Sequence, residues 1–265
     1  MQIGVLIDHI EKIALPAYAA NWDISGIQVA SKRTDITSLA ICLDPTTLSI
    51  SKALAKGAQF ILSHHPLTLK PDLPRKLDSY FDILQMLLSV DVPLYAAHTS
   101  LDVNPNGPMN WLAKELKLKS CKTIEPLVTD NKKNVVPGYG LLGTLPKKVK
   151  NLDEFIKILG KVINLDMMRI CGPMPQKSIS KIAYCTGAGV SFASKAYELG
   201  ADIFITGDVK YHDALNSNIT ILDVGHHILE EEMMRQMYIL LKKDFPKVRV
   251  FFIPSSSPFY RSLPN

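Results

Sequence analysis

The sequence predicts an α/β protein with room for two α/β domains, their sheets covered by helices. Three observations predict it. Short apolar runs, such as residues 38–43, 59–63 and 219–224, alternate with longer stretches of helical periodicity. Those runs are apolar nearly throughout, as strands buried on both faces are. At 265 residues, 47% of them hydrophobic, the chain can fill two small cores.

Taken in order, Ile3, Leu6, Ile7, Ile10, Ile13 and Ala14 recur at helical spacing, and Pro16 ends that helix. Residues 38–43 read as a buried strand, after which Asp44 caps a helix with Pro45 in its first turn. Gly57 stops this helix, and residues 59–63 form a strand that runs into His64. A helix over 80–88 and a strand over 92–96 follow, the strand running on to His98. Gly107 and Pro108 open a helix through Trp111, Leu112 and Leu116. Between 120 and 138 charge rises and apolar periodicity fades, which places a domain boundary there. Beyond it, strands at 139–145, 167–171, 181–186, 202–206, 219–224 and 248–253 alternate with helices at 152–163, 191–199 and 226–242. Gly187-Ala188-Gly189 turns the chain into the second of these helices and is too short for a nucleotide fingerprint.

The net charge of +5 is mild for this length and by itself does not argue for nucleic acid. The excess is concentrated in residues 114–150, where Lys114, Lys117, Lys119, Lys122, Lys132, Lys133, Lys147, Lys148 and Lys150 face only Glu115, Glu125 and Asp130. This stretch reads first as a solvated connector and second as a surface that attracts phosphorylated substrates or nucleic acid. It lacks the arginines and aromatics that read or stack on bases. Cys42, Cys121, Cys171 and Cys185 form no CxxC pair, which excludes zinc-finger and thioredoxin readings and suits reduced, mostly buried thiols. No cationic segment precedes Ile3, Asp8 and Glu11 interrupt the first apolar run, and no stretch is long enough to span a bilayer. A cytoplasmic protein without a membrane partner is expected.

The seven histidines carry the functional signal. His64, His65 and Pro66 close one predicted strand, His98 and Asp102 follow a second, and His226 and Glu230 follow a third. In open α/β sheets the carboxyl ends of strands are where binding sites form. Two adjacent imidazoles at a turn stiffened by Pro66 can serve two nearby ions, and His226 and Glu230, four apart on a helix, share a face. A carboxylate can bridge two cations held about 3.5–4 Å apart. A fourth segment, with Asp208 and His212 four apart after a strand, is a candidate for catalytic, substrate-contacting or ligand-supporting groups; equally, Asp208 reads as a helix cap and His212 as a surface residue. His9 and His227 are less committed. HxHxDH, HExxH, GxxxxGK[ST] and GxSxG motifs are all absent.

At these residues the chain resembles the NIF-three-like dinuclear-metal family, whose members are often described as GTP cyclohydrolase 1 type 2 homologues. The resemblance spans nearly the whole length. It is carried by Trp22-Asp23-Ile24-Ser25-Gly26-Ile27-Gln28-Val29, Leu43-Asp44-Pro45-Thr46, Ser63-His64-His65-Pro66, Ala97-His98-Thr99-Ser100-Leu101-Asp102, Gly138-Tyr139-Gly140, Ile205-Thr206-Gly207-Asp208 through His212, Asp223-Val224-Gly225-His226 with Glu230, and Ser257-Pro258-Phe259. It implies a first domain split around the second, which the boundary signals put at 1–125 with 220–265 and at 126–219. It also implies a toroidal homohexamer, and two divalent ions per subunit bound by His64, His65, Asp102, His226 and Glu230, with His98 at or near them. Ile24 stands where the family usually has Asn, Pro108 where a second Gly is common, and His227 where an aromatic is usual; the first two bear on substrate specificity.

The function expected is metal-assisted hydrolysis of a nucleotide such as GTP or of another phosphorylated metabolite, with His98 or His212 moving the proton. The alternative is a non-catalytic metal store, a metal-delivery protein, or a ring-shaped adaptor for protein or nucleic acid. Histidine and carboxylate donors without thiolate suit Zn, Mn, Fe, Co or Ni and do not choose among them.

Overall fold

A computed structural model of the chain describes residues 1–130 and 135–260, so Lys132 and Lys133 of the lysine-rich stretch lie outside the described residues. In chain order the elements are α1 (Ile3–Ile13), β1 (Gly26–Val29), β2 (Ser38–Cys42), α2 (Thr47–Ala55), β3 (Ile61–Ser63), α3 (Ser79–Ser89), β4 (Leu94–Ala96), α4 (Thr99–Asp102), α5 (Trp111–Glu115), β5 (Lys119–Pro126) and β6 (Gly138–Val149). They continue with α6 (Leu152–Leu159), β7 (Arg169–Cys171), β8 (Ile179–Tyr184), α7 (Ala193–Glu198), β9 (Ile203–Thr206), α8 (Tyr211–Leu215), β10 (Thr220–Asp223), α9 (His226–Asp244) and β11 (Arg249–Phe252). Among the described residues no helix is long and apolar enough to cross a membrane.

The chain divides into two compact units, Met1–Leu101 with Glu231–Ser255, and Asp102–Glu230 with the tail from Ser256. The first is therefore discontinuous. The limits of the units fall at Leu101 and Glu230, and β5 and β10 are both hydrogen-bonded into the second sheet.

The sheet of the first unit has the order β1-β4-β3-β2-β11. β4, β3, β2 and β11 are parallel, and β1 pairs antiparallel with β4 at the edge. Residues of β2 alternate between two buried faces. Ala40 and Cys42 join Ile61, Leu94, Ile50, Ala53, Ile83 and Leu87 in one core with α2 and α3. On the other face the Tyr95 hydroxyl donates to Glu11 of α1 (3.0 Å). Leu6 and Ile10, one turn apart on α1, are fully buried, as the apolar spacing requires. The N-cap of α2 is Thr46, not Asp44: Thr46 and Ser49 form a reciprocal capping box, which leaves the Asp44 carboxylate for another partner.

The second sheet has the order β5-β6-β8-β9-β10-β7. β8, β9 and β10 are parallel; the flanking pairs are antiparallel. Ile124, Leu142, Ala183, Phe204 and Ile221 meet Ala193 and Ala196 of α7 in its core. The buried Tyr184 hydroxyl donates to Met109 O (3.0 Å), tying β8 to the turn before α5. The segment expected to be a loose connector contains a whole strand. β5 is an edge strand with an irregular register between Lys119 and Lys122, and only Thr123 and Ile124 of its eight residues are buried. Charged side chains on a solvated edge mask the apolar signal of a strand.

Candidate metal centre

In each unit the candidate donors stand just past the ends of neighbouring parallel strands. In the first, β3 delivers His64 and His65, and β4 delivers His98. The turn after β3 is pinned: the amide N–H groups of His64 and His65 both donate to Leu43 O (3.1 Å each), and Ser63 Oγ donates to His65 O (2.7 Å). The three imidazoles pack ring against ring, with centroids 5.0, 5.2 and 5.5 Å apart. One donor atom from each lies within 4.8 Å of the others.

Each of the three rings is oriented through Nδ1 by an oxygen. His64 Nδ1 meets Ala97 O (2.9 Å), His65 Nδ1 meets Asp44 Oδ1 (2.6 Å), and His98 Nδ1 meets Asp23 Oδ1 (2.9 Å). A carbonyl or an ionised carboxylate can only accept, so the proton sits on Nδ1 and the lone pair falls on Nε2. This is the pattern of imidazoles that bind metal through Nε2 while an outer oxygen fixes tautomer and orientation. Asp23 is the most elaborated of these supports. Its side chain is fully buried and accepts from His98, Ser25 Oγ (2.7 Å), Thr99 N (3.0 Å), Thr99 Oγ1 (2.5 Å) and Ile24 N (2.7 Å). Burial opposes the charge, but the hydrogen bonds from His98, Thr99 and Ser25 outweigh it and hold the carboxyl well below the usual carboxylate range.

In the second unit, His226 and Glu230 lie one turn apart at the start of α9. His226 Nε2 meets Glu230 Oε2 (2.7 Å) and its Nδ1 meets Asp208 Oδ2 (2.8 Å). Burial alone would lower the imidazole's pKa; the hydrogen bonds and charges of Glu230 and Asp208 overcome it and push the value up to about 9. A cation binding at Nε2 displaces that proton. The first turn of α9 is held by Trp111, whose Nε1 donates to Leu229 O (3.0 Å). Asp102, at the end of α4, accepts from Thr186 Oγ1 just past β8 (3.1 Å).

Two glycines fit tightly against these donors. A Cβ on Gly207 would lie 2.3 Å from His226 N, and one on Gly187 would strike the Glu230 carboxylate. Gly187 also has φ +62°, so the Gly-Ala-Gly turn is shaped for the donors packed against it. Cys185 is also buried, and burial, then the charges of Asp102 and Glu230, push its thiol pKa up.

His212 lies on α8, exposed, with its ring against Tyr211 (5.3 Å), and no hydrogen bond among the described residues joins it to Asp208. Asp208 is placed at His226. Asp44 and Asp23 were the residues sequence reasoning gave no ligand-supporting role; the signal that points to them is a carboxylate in each block beside the histidine blocks. The imidazole-rich, thiolate-free donor set fits a borderline divalent ion.

A model of the family described as Duf34/NIF3 (NGG1p interacting factor 3) matches residues 1–258. A GTP cyclohydrolase 1 type 2 homologue of Clostridium perfringens is 30% identical over 230 residues, covering 85% of this chain and 86% of the relative. NIF3-like protein 1 of Drosophila melanogaster is 26% identical over 260 residues, covering 95% of this chain and 86% of the relative. The crystal structure of Staphylococcus aureus protein SA1388 superposes with a TM-score of 0.87 at 25% identity, covering 99% of each chain. With the whole fold and nearly the whole sequence matched, the chain belongs to the Duf34/NIF3 family.

Proposed function

We propose that this protein binds two divalent metal ions and hydrolyses a nucleotide or another phosphorylated metabolite with them. The observation that carries the metal reading is the His64, His65 and His98 cluster, in which each ring is oriented by an oxygen at Nδ1, so that its lone pair lies on Nε2, and one donor atom from each ring lies within 4.8 Å of the others. The ligands we assign are His64, His65, Asp102, His226 and Glu230, with His98 beside them. Relatives named GTP cyclohydrolase 1 type 2 homologues support the choice of substrate class. Bound divalent cations supply a nucleophilic water near neutral pH and polarise the bond under attack. The chain's own part is to place and move protons. Asp23 holds the His98 proton on Nδ1, so the lone pair is on Nε2, and His98, which is not one of the assigned ligands, can take a proton there from an attacking water. Self-association into a ring-shaped hexamer belongs to the same reading and is measured by light scattering.

The test is metal analysis of protein purified without chelator or tag-derived nickel, followed by a turnover screen of nucleotides and phosphoesters with Mn, Zn, Fe, Co or Mg. Two ions per chain, with turnover abolished in a folded His65→Ala variant, is the expected result. Metal uptake without turnover of any compound favours the second reading, a metal store, a delivery protein or an adaptor. The family's own description as an interacting factor leans toward the adaptor.

A further inference from the structure

Asp208 has φ +56°, a left-handed conformation that is uncommon outside glycine. A residue persists there only where its surroundings over-determine it, and here they do. On one side Gly207 N donates to Gly187 O (2.9 Å), and Gly207 is wedged against the His226 backbone. On the other, Val209 N donates to Asp223 Oδ2 (3.2 Å). Asp223 is buried at the end of β10 and also accepts from Gly225 N (3.2 Å), the residue before His226. Arg169 on β7 closes the arrangement: its guanidinium donates to Val209 O (3.1 Å) and to the Asp223 carboxylate. One buried carboxylate thus ties together the turn that carries Asp208 and the turn that carries His226. A single arginine nitrogen, Arg169 Nη2, reaches both the Val209 carbonyl and this carboxylate from a mostly exposed side chain.

We propose that Arg169 and Asp223 are positioning residues that hold Asp208 in its left-handed turn, so that its carboxylate fixes His226 for metal binding. The inference rests on the metal reading above and assigns a part in it to two side chains that are not themselves among the donors. The left-handed backbone lets the local fold and the metal function be separated. Asp208→Gly relaxes the backbone while deleting the carboxylate, and Asp208→Asn keeps an acceptor for His226 Nδ1 while deleting the charge. Arg169→Ala removes the two Arg169 bonds while leaving the sequence of both turns unchanged.

The experiment titrates zinc against a chelating indicator in the full-length wild type and the three variants, with thermal melts of the metal-free proteins alongside. In Asp208→Gly the relief of the left-handed backbone offsets the lost His226 hydrogen bond, so it should melt close to the wild type yet bind zinc about 10-fold more weakly, the usual scale for losing an outer carboxylate. Asp208→Asn should retain more affinity than Asp208→Gly. Arg169→Ala should lose affinity without the ligands being altered. Wild-type zinc affinity in both Asp208→Gly and Arg169→Ala overturns the inference and leaves the metal reading intact; so does an affinity that falls only in step with the melting temperature. No zinc uptake by the wild type itself brings down the metal reading, and the inference with it.

Discussion

A methyl group on Gly187 would come within 2.2 Å of Glu230 Oε1 and within 3.4 Å of His226 Nε2. The glycine has φ +62° as well, so an alanine there meets both a backbone penalty and the buried carboxylate. Gly187→Ala should lose about 1–3 kcal/mol of stability from the backbone alone and weaken metal binding beyond that, since Glu230 must move. Chemical denaturation and a zinc titration of the same preparation measure the two effects. An unchanged zinc affinity would show that Glu230 is no ligand.

Asp23 gives a pH-dependent prediction. Its folded pKa lies below the ordinary value of 3.8, so its contribution is complete above about pH 4 and is lost as pH falls through the folded value. Asp23→Asn should therefore be destabilised relative to wild type at pH 7, with the difference shrinking progressively below pH 4. Urea melts at pH 7, 4 and 3 measure it. A gap that widens in acid contradicts the ionised, hydrogen-bonded carboxylate described above.

Trp22 reports on the imidazole cluster. Its indole is 60% exposed and its ring centre lies 5.7 Å from that of His98, whereas Trp111, the other tryptophan, is buried. Cobalt or nickel bound at the cluster should quench the red-shifted part of the emission, and Trp22→Phe should remove that response while the Trp111 signal remains. A red-shifted emission that cobalt or nickel leaves unquenched in the wild type would place the ion away from the imidazole cluster.

The thiols divide by burial. Cys42 and Cys185 are buried with their pKa values pushed up, first by burial and then by nearby carboxylates; Cys121 and Cys171 are partly accessible and raised less. A thiol reagent at pH 8 should label Cys121 and Cys171 first, and Cys42 and Cys185 only on denaturation. Mass spectrometry of the labelled peptides reads the order.

The strands leading to His64, His98 and His226 were legible because buried parallel strands are apolar on both faces, and the histidines interrupt them abruptly. β5 was not. Lys119, Lys122 and Glu125 belong to an edge, where water on the outer side removes any pressure for apolar residues. Asp44 was misassigned because an acidic residue before Pro45 has the local signature of a helix cap; only the fold shows Thr46 taking that place and His65 receiving the carboxylate. The Asp23–His98 pairing spans 75 positions, and no local pattern encodes a contact of that separation.

The helix that begins with His226 and Glu230 belongs to both units of the chain, its opening turn to one and its methionine-lined remainder to the other. Neither half can be expressed as an independent fragment at these limits without sawing through a continuous rod of nineteen residues.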